Sequence, residues 1–159
     1  MKFGNGLEVV DSRIWSSYLE RYLEDIHFVI IHHAATGWWV KPEDIRRYHS
    51  VELGWPDIGY HFLVYQDGTI YYVGGMETAR AHTYNWNYEG VGVCLVGNFD
   101  DHWPDPRQLQ STRMLIANIQ WSLGWFLPIT GHSDMRENRS THCPGLTFSE
   151  WRLQIDPRS

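Results

Sequence analysis

Three residues far apart in the chain carry side chains that bind transition metals. They are His32 at the end of "VIIHH", His132 in "ITGHSDM" and Cys143 in "THCPG". Zinc takes nitrogen and sulfur donors, and a catalytic zinc keeps three protein ligands and one open position. A strand end and two loops that supplied a His, a His and a Cys would make such a site. Each residue also has a plainer reading. A histidine beside a strand is commonly a satisfied core or surface side chain, and a cysteine before proline is commonly a small buried filler. A hundred residues separate His32 from His132, which is not the spacing of a zinc finger.

Adjacent histidines divide by geometry. Successive strand residues face opposite sides, so if His32 points to a site, His33 points away from it. The same alternation turns His61 away from the side that Tyr60 faces.

The elements that must position these residues can be read from periodicity. "HFVII" (27–31) reads as a buried strand ending at His32. "IGYHFLVYQDGTIYYVG" (58–74) reads as a hairpin turning at Asp67-Gly68. "VGVCLVG" (91–97) is apolar throughout and predicts a central strand. Helices are predicted over 41–54, with Pro42 at its first position and Gly54 as its stop, and over 105–124. In the second helix Asp105 caps the start, Gly124 ends it, and Leu109, Thr112, Ile116, Ile119 and Leu123 form the inner stripe. A short helix is expected over 146–154. "DSRIWSSYLERYL" (11–23) is expected to form an N-terminal helix, with Asp11 as cap and Ile14, Tyr18 and Tyr22 on one face. Strands interleaved with helices predict an α/β fold: one layered domain with a central mixed sheet flanked by α-helices.

Composition narrows the function. The formal net charge of −6 argues against general nucleic-acid binding and gives no electrostatic reason to bind an anionic membrane. No apolar run reaches the ~20 residues of a membrane span, and the N-terminus has no stretch suited to a signal peptide. The chain is therefore expected to begin in the cytoplasm. Two cysteines, Cys94 and Cys143, cannot build a disulfide framework. Nine tryptophans and nine tyrosines exceed ordinary core needs, and exposed aromatics are one means of gripping sugars.

Five segments together resemble a known family: "VIIHHAAT", "GWPDIGYHFLVYQDGTIY", "ARAHTYNWNYEGVGVCLVGNFDD", "ITGHSDM" and "THCPG". In this order, over roughly residues 26 to 153, they look like the zinc-dependent N-acetylmuramoyl-L-alanine amidases, whose fold short phage endolysins share with peptidoglycan recognition proteins. The resemblance implies one Zn2+ per chain held by His32, His132 and Cys143. It implies that Tyr60 lies beside the reacting water. It makes Thr141, two residues before Cys143, the counterpart of a position that holds Lys in some phage enzymes and Thr in recognition-protein amidases. His82 and, more weakly, Asn87 fall near the family's substrate groove, and Trp38 follows the "HHAAT" turn where a glycan or stem peptide would stack.

The implied reaction is metal-assisted hydrolysis of the amide between N-acetylmuramic acid and L-alanine, lysing the bacterial cell wall. The implied partner is bacterial peptidoglycan, met by a monomer, with no nucleic acid and no membrane. An endolysin of this kind waits in the host cytoplasm and reaches the wall through a membrane pore. Residues 1–25 are expected to be a helical extension and 26–159 the amidase domain. One departure counts against a wall-recycling relative acting on soluble fragments: such enzymes carry acids in the strand that here holds Cys94 and Val96. Non-catalytic recognition proteins usually replace the third ligand, which is present here as Cys143.

Overall fold

The computed structural model describes all of residues 1–159. Its elements in chain order are β1 (Lys2–Phe3), β2 (Leu7–Glu8), β3 (Val10–Asp11), β4 (Phe28–His33), α1 (Pro42–Arg47), β5 (Phe62–Val64), β6 (Ile70–Tyr72), β7 (Gly90–Leu95), α2 (Pro106–Leu123), β8 (Ile129–Gly131) and α3 (Phe148–Trp151). β1 and β2 form a small hairpin, and the other six strands form one sheet in the order β3-β6-β5-β7-β4-β8. The sheet is mixed: β8, β4, β7 and β5 run parallel, and β6 returns antiparallel to β5.

The apolar strands are apolar because both sheet faces are covered. Val29 and Ile31 of β4, Val93 and Leu95 of β7 and Phe62 of β5 face the main core with Leu109, Leu115, Ile116 and Ile119 of α2. The opposite face places Leu63 and Cys94 with Ile45 of α1. β4 and β7 are fully interior, as their uninterrupted apolar runs require.

α2 is bounded as its sequence predicts. The Asp105 carboxylate accepts the Arg107 N–H at 2.8 Å, and Gly124 closes the helix at φ 86°. The Asp67-Gly68 turn joins β5 to β6, with Gly68 at φ 89°. α1 begins at Pro42 and gives way at Tyr48 to a wider turn that runs to Glu52. Trp151 is completely buried, whereas Trp121 and Trp125 are exposed on and just beyond α2.

The expected helix over 11–23 does not form. Val10 and Asp11 pair with Tyr71 and Tyr72 as an edge strand, and the chain then stays extended. Its backbone bonds go to the 75–79 loop instead: Arg21 N–H to Glu77 O at 2.7 Å and Ala79 N–H to Leu19 O at 2.8 Å. Ile14 and Tyr22, expected on one helical face, are exposed. The buried residue is Arg21, whose guanidinium donates to the carbonyls of Met76, Asn87, Tyr88 and Gly90. A single fixed donor fork that ties four carbonyls together is a long-range arrangement, and it overrides a weak local helical pattern.

Candidate metal centre and its surroundings

His32 is the penultimate residue of β4, and His132 follows directly on β8. Ile31 pairs with Gly131, so these two histidines leave neighbouring parallel strands side by side. Their ring centroids are 4.8 Å apart. Cys143 comes from the loop before α3, and its Sγ lies 3.6 Å from His32 Nδ1. One donor atom from each of His32, His132 and Cys143 lies within 4.8 Å of the others.

Both ring nitrogens of His32 are accounted for. Nδ1 faces Cys143, while Nε2 lies 3.0 Å from His82 Nδ1 and 3.3 Å from Thr83 Oγ1. His82 Nε2 lies 3.3 Å from the Gly90 carbonyl, so its Nε2 is the protonated nitrogen. The chain of hydrogen bonds then runs His32 Nε2–H to His82 Nδ1, and His82 Nε2–H to Gly90 O. This leaves His32 Nδ1 unprotonated and free to bind a metal. His132 has the same arrangement: Nε2 lies 3.0 Å from Asn138 Oδ1, leaving Nδ1 as the ligating nitrogen. Metal-binding histidines ordinarily have the second nitrogen held in this way.

Space for the His82 ring comes from glycine. A Cβ on Gly92 of β7 would lie 2.7 Å from His82 Cγ. The loop carrying His82 is braced by Asn87, whose Oδ1 accepts the N–H of both His82 and Thr83 at 2.8 and 2.7 Å. His82, expected near a substrate groove, is thus buried against the His32 ring of the donor triad, and Asn87 shapes the loop that holds it.

The electrostatics match a site for a cation. Burial, helped by the neighbouring histidines, holds His32 well below the usual imidazole range, and burial lowers His132. His82 is brought down to about 3, mainly by burial and then by Arg21. All three rings are neutral near pH 7. Burial also pushes the Cys143 thiol up to about 12, against the opposing pull of a hydrogen bond from the His33 N–H. A cation is what this pocket needs to draw out the thiolate. Two neutral nitrogens and one sulfur are a donor set that fits zinc.

Tyr60 lies beside the triad, its ring 5.1 Å from that of His32. Burial holds its phenol well above the ordinary value, so it remains a hydrogen-bond donor. Thr141 Oγ1 accepts the Cys143 N–H at 3.2 Å, which shapes the ligand loop and leaves its O–H proton free to donate. His33 points to the other face, where Nδ1 accepts the Phe99 N–H at 3.2 Å. His61 bonds the Gly92 N–H at 3.0 Å and the Thr78 carbonyl at 2.8 Å. Trp38 stands exposed beyond the β4 turn. Asn138, Thr83 and Arg21 carried no sequence signal, because each acts through a partner at least fifty residues away or through a loop with no periodic pattern.

A model of the family described as N-acetylmuramoyl-L-alanine amidase matches residues 22–146. Peptidoglycan-recognition protein SA of Drosophila melanogaster is 37% identical over 146 residues, covering 84% of this chain and 70% of that protein. Among solved structures, the endolysin N-acetylmuramoyl-L-alanine amidase LysCS from Clostridium intestinale superposes with a TM-score of 0.79 at 25% identity, covering 93% of this chain and 95% of that one. Peptidoglycan recognition protein LE, solved in complex with tracheal cytotoxin, a monomeric diaminopimelic acid-type peptidoglycan, gives a TM-score of 0.80 at 27% identity over 94% of both chains.

Proposed function

Because the chain belongs to the N-acetylmuramoyl-L-alanine amidase family, we propose that it hydrolyses the amide between the lactyl group of N-acetylmuramic acid and L-alanine in peptidoglycan. The observation that carries this reading is the donor triad of His32, His132 and Cys143, whose donor atoms lie within 4.8 Å of one another, with the Tyr60 ring 5.1 Å from that of His32. One zinc ion per chain, when bound there, would supply a Lewis acid for the scissile carbonyl and acidify water.

The chain's own residues do the remainder. His82 and Asn138 fix the tautomers of the two ligating rings, so that each presents Nδ1. Tyr60 donates its phenolic hydrogen to the oxygen on which charge develops, where a fixed donor costs no reorganisation. Thr141 supplies a second hydroxyl donor near the same loop. The proposed biological role is that of an endolysin, supported by the likeness to the Clostridium amidase. A second reading, a module that holds peptidoglycan without cutting it, is favoured by the recognition-protein relatives.

Incubation with purified cell wall, with and without a chelator, separates the readings. New free L-alanine amino groups that vanish on chelation or in His132→Ala support the amidase. Retained wall binding with no new chain ends supports the recognition module. New reducing sugar ends would replace both with a glycosidase.

A further inference from the structure

Outside the metal centre, a cleft of about 670 Å3 lies between the loop after β4 and the loop after β7. Its position follows from topology. β4 and β7 are adjacent parallel strands, but β4 leads into α1 on one sheet face and β7 leads into α2 on the other. Where successive connections diverge in this way, a crevice opens at the carboxyl ends of the strands, and ligands of open α/β sheets bind there.

Three tryptophans stand at this crevice: Trp38, Trp39 and Trp103 are 57%, 67% and 44% exposed. They are held in place despite their exposure. Trp103 Nε1 donates to the Glu150 carboxylate at 2.8 Å. The Trp39 indole lies over Gly37, where any Cβ would collide with the ring at 2.4 Å, and Trp38 meets Trp39 edge to face at 5.9 Å. Indoles fixed before a ligand arrives lose little entropy when it binds.

The crevice wall is also tied to the metal centre. Phe99 is held by His33, the neighbour of His32. Thr147, four residues after Cys143, donates to the Phe99 carbonyl at 2.7 Å, and Gly145 approaches that carbonyl so closely that a Cβ would lie 2.5 Å from it. A polymer lying in this crevice therefore meets a wall built on the ligand-bearing segments.

The polar lining selects the ligand class. Asn98, Gln66 and Gln108 offer uncharged amides, although Gln108 already bonds the Val64 and Val96 carbonyls. No lysine or arginine lines the crevice, and its carboxylate, Asp105, caps α2 and pairs with Arg107. The crevice's one titratable cation-former is His102, while Lys41 and Arg107 line the adjoining pocket on Trp38 and Trp39. A neutral ring with an apolar face finds flat indoles, and its amide and hydroxyl groups find carboxamides.

We propose that this crevice is a glycan subsite that stacks neutral N-acetylhexosamine units on Trp103 and Trp38. Its place as a substrate subsite rests on the peptidoglycan reading above, whereas its sugar binding can be measured without it. The probe is the β-1,4-linked tetramer of N-acetylglucosamine, which contains no lactyl-alanine amide. It is titrated into the full chain while tryptophan fluorescence and indole N–H NMR shifts are followed. Saturable binding is expected. Trp103→Ala and Trp38→Ala should each weaken it by roughly tenfold or more. Trp103→Phe should recover part of the loss, which a folding defect would not explain, and Trp121→Ala, on the outer face of α2, should bind as the parent does. Absent saturation, or affinity indifferent to Trp103 and Trp38, overturns the subsite. Cell-wall amide cleavage by the parent protein is assayed in parallel. No cleavage alongside tryptophan-dependent sugar binding rejects the amidase and keeps the sugar site. Cleavage alongside tryptophan-independent binding rejects the subsite alone.

Discussion

His82 Nδ1 lies 3.0 Å from His32 Nε2, with both rings buried beside the metal centre. The bond couples a loop held in place by Arg21 to the first ligand. His82→Ala would leave the His32 Nε2–H without its principal acceptor in a buried site, freeing the ring to turn. Zinc affinity should fall by about 10- to 100-fold, the usual cost of losing an outer partner. His82→Gln can still offer an oxygen and should recover part of the affinity. Competition with a chromophoric chelator measures both. Unchanged affinity in a folded His82→Ala protein would remove His82 from the support of His32.

Tyr60→Phe keeps the ring beside His32 and deletes only the donor. Zinc content and thermal stability should stay near the parent's, while wall hydrolysis falls on the order of 10²-fold, as for loss of one oxyanion donor. The loss should appear in kcat more than in KM, because the bond strengthens as charge develops. Near-parental turnover would take Tyr60 out of the chemistry.

Much of the metal centre was legible because its donors are rare residue types standing at strand ends and in marked loops. The alternation rule also separated His32 from His33, which the structure places on opposite faces of β4. What could not be read was support supplied through space. Asn138 and Thr83 belong to no periodic pattern, and only the folded chain brings them to His132 and His32. The N-terminal segment misled for a related reason. Fourfold recurrence of Ile14, Tyr18 and Tyr22 resembles a helix face, but the open backbone of the 75–79 loop offers that segment better partners.

A pH test concerns His49, which is buried and accepts the Gly59 N–H at Nδ1, 2.9 Å away. Burial lowers it from 6.5 to about 4, with Asp57 opposing. Above pH 6.5 the ring is neutral in both folded and unfolded chains and adds no pH dependence. As pH falls from 6.5 towards 4, the unfolded chain takes up the proton first, so the folded state loses stability until the folded ring also titrates. Linkage puts the full loss at roughly 3 kcal/mol. In chelator-treated protein, His49→Gln should flatten the denaturation free energy across that window. An equally steep acid limb in parent and variant would reject the assignment.

Both cysteines are free and buried, and they differ in what surrounds them. Cys94 sits among Leu63, Val96 and Ile58, where burial raises its thiol well above 9.0. Cys143 is also a thiol in the bare pocket, but it faces His32 Nδ1. Since the ligating imidazoles are already neutral near pH 7, zinc has no proton to displace from them. It must displace the one on Cys143, because zinc binds the thiolate. Calorimetric titration in buffers of different ionisation enthalpy should therefore show about one proton released per zinc at pH 7.5. Cys94→Ser should release the same number and bind as tightly, with a modest loss of stability from a hydroxyl in an apolar site. Cys143→Asp, already ionised, should release close to none and bind more weakly. Release near zero in the parent would mean that the Cys143 sulfur is not a ligand. Release above one would count a second group, either water ionised by the bound zinc or a histidine protonated in the bare pocket, and a pH series separates the two.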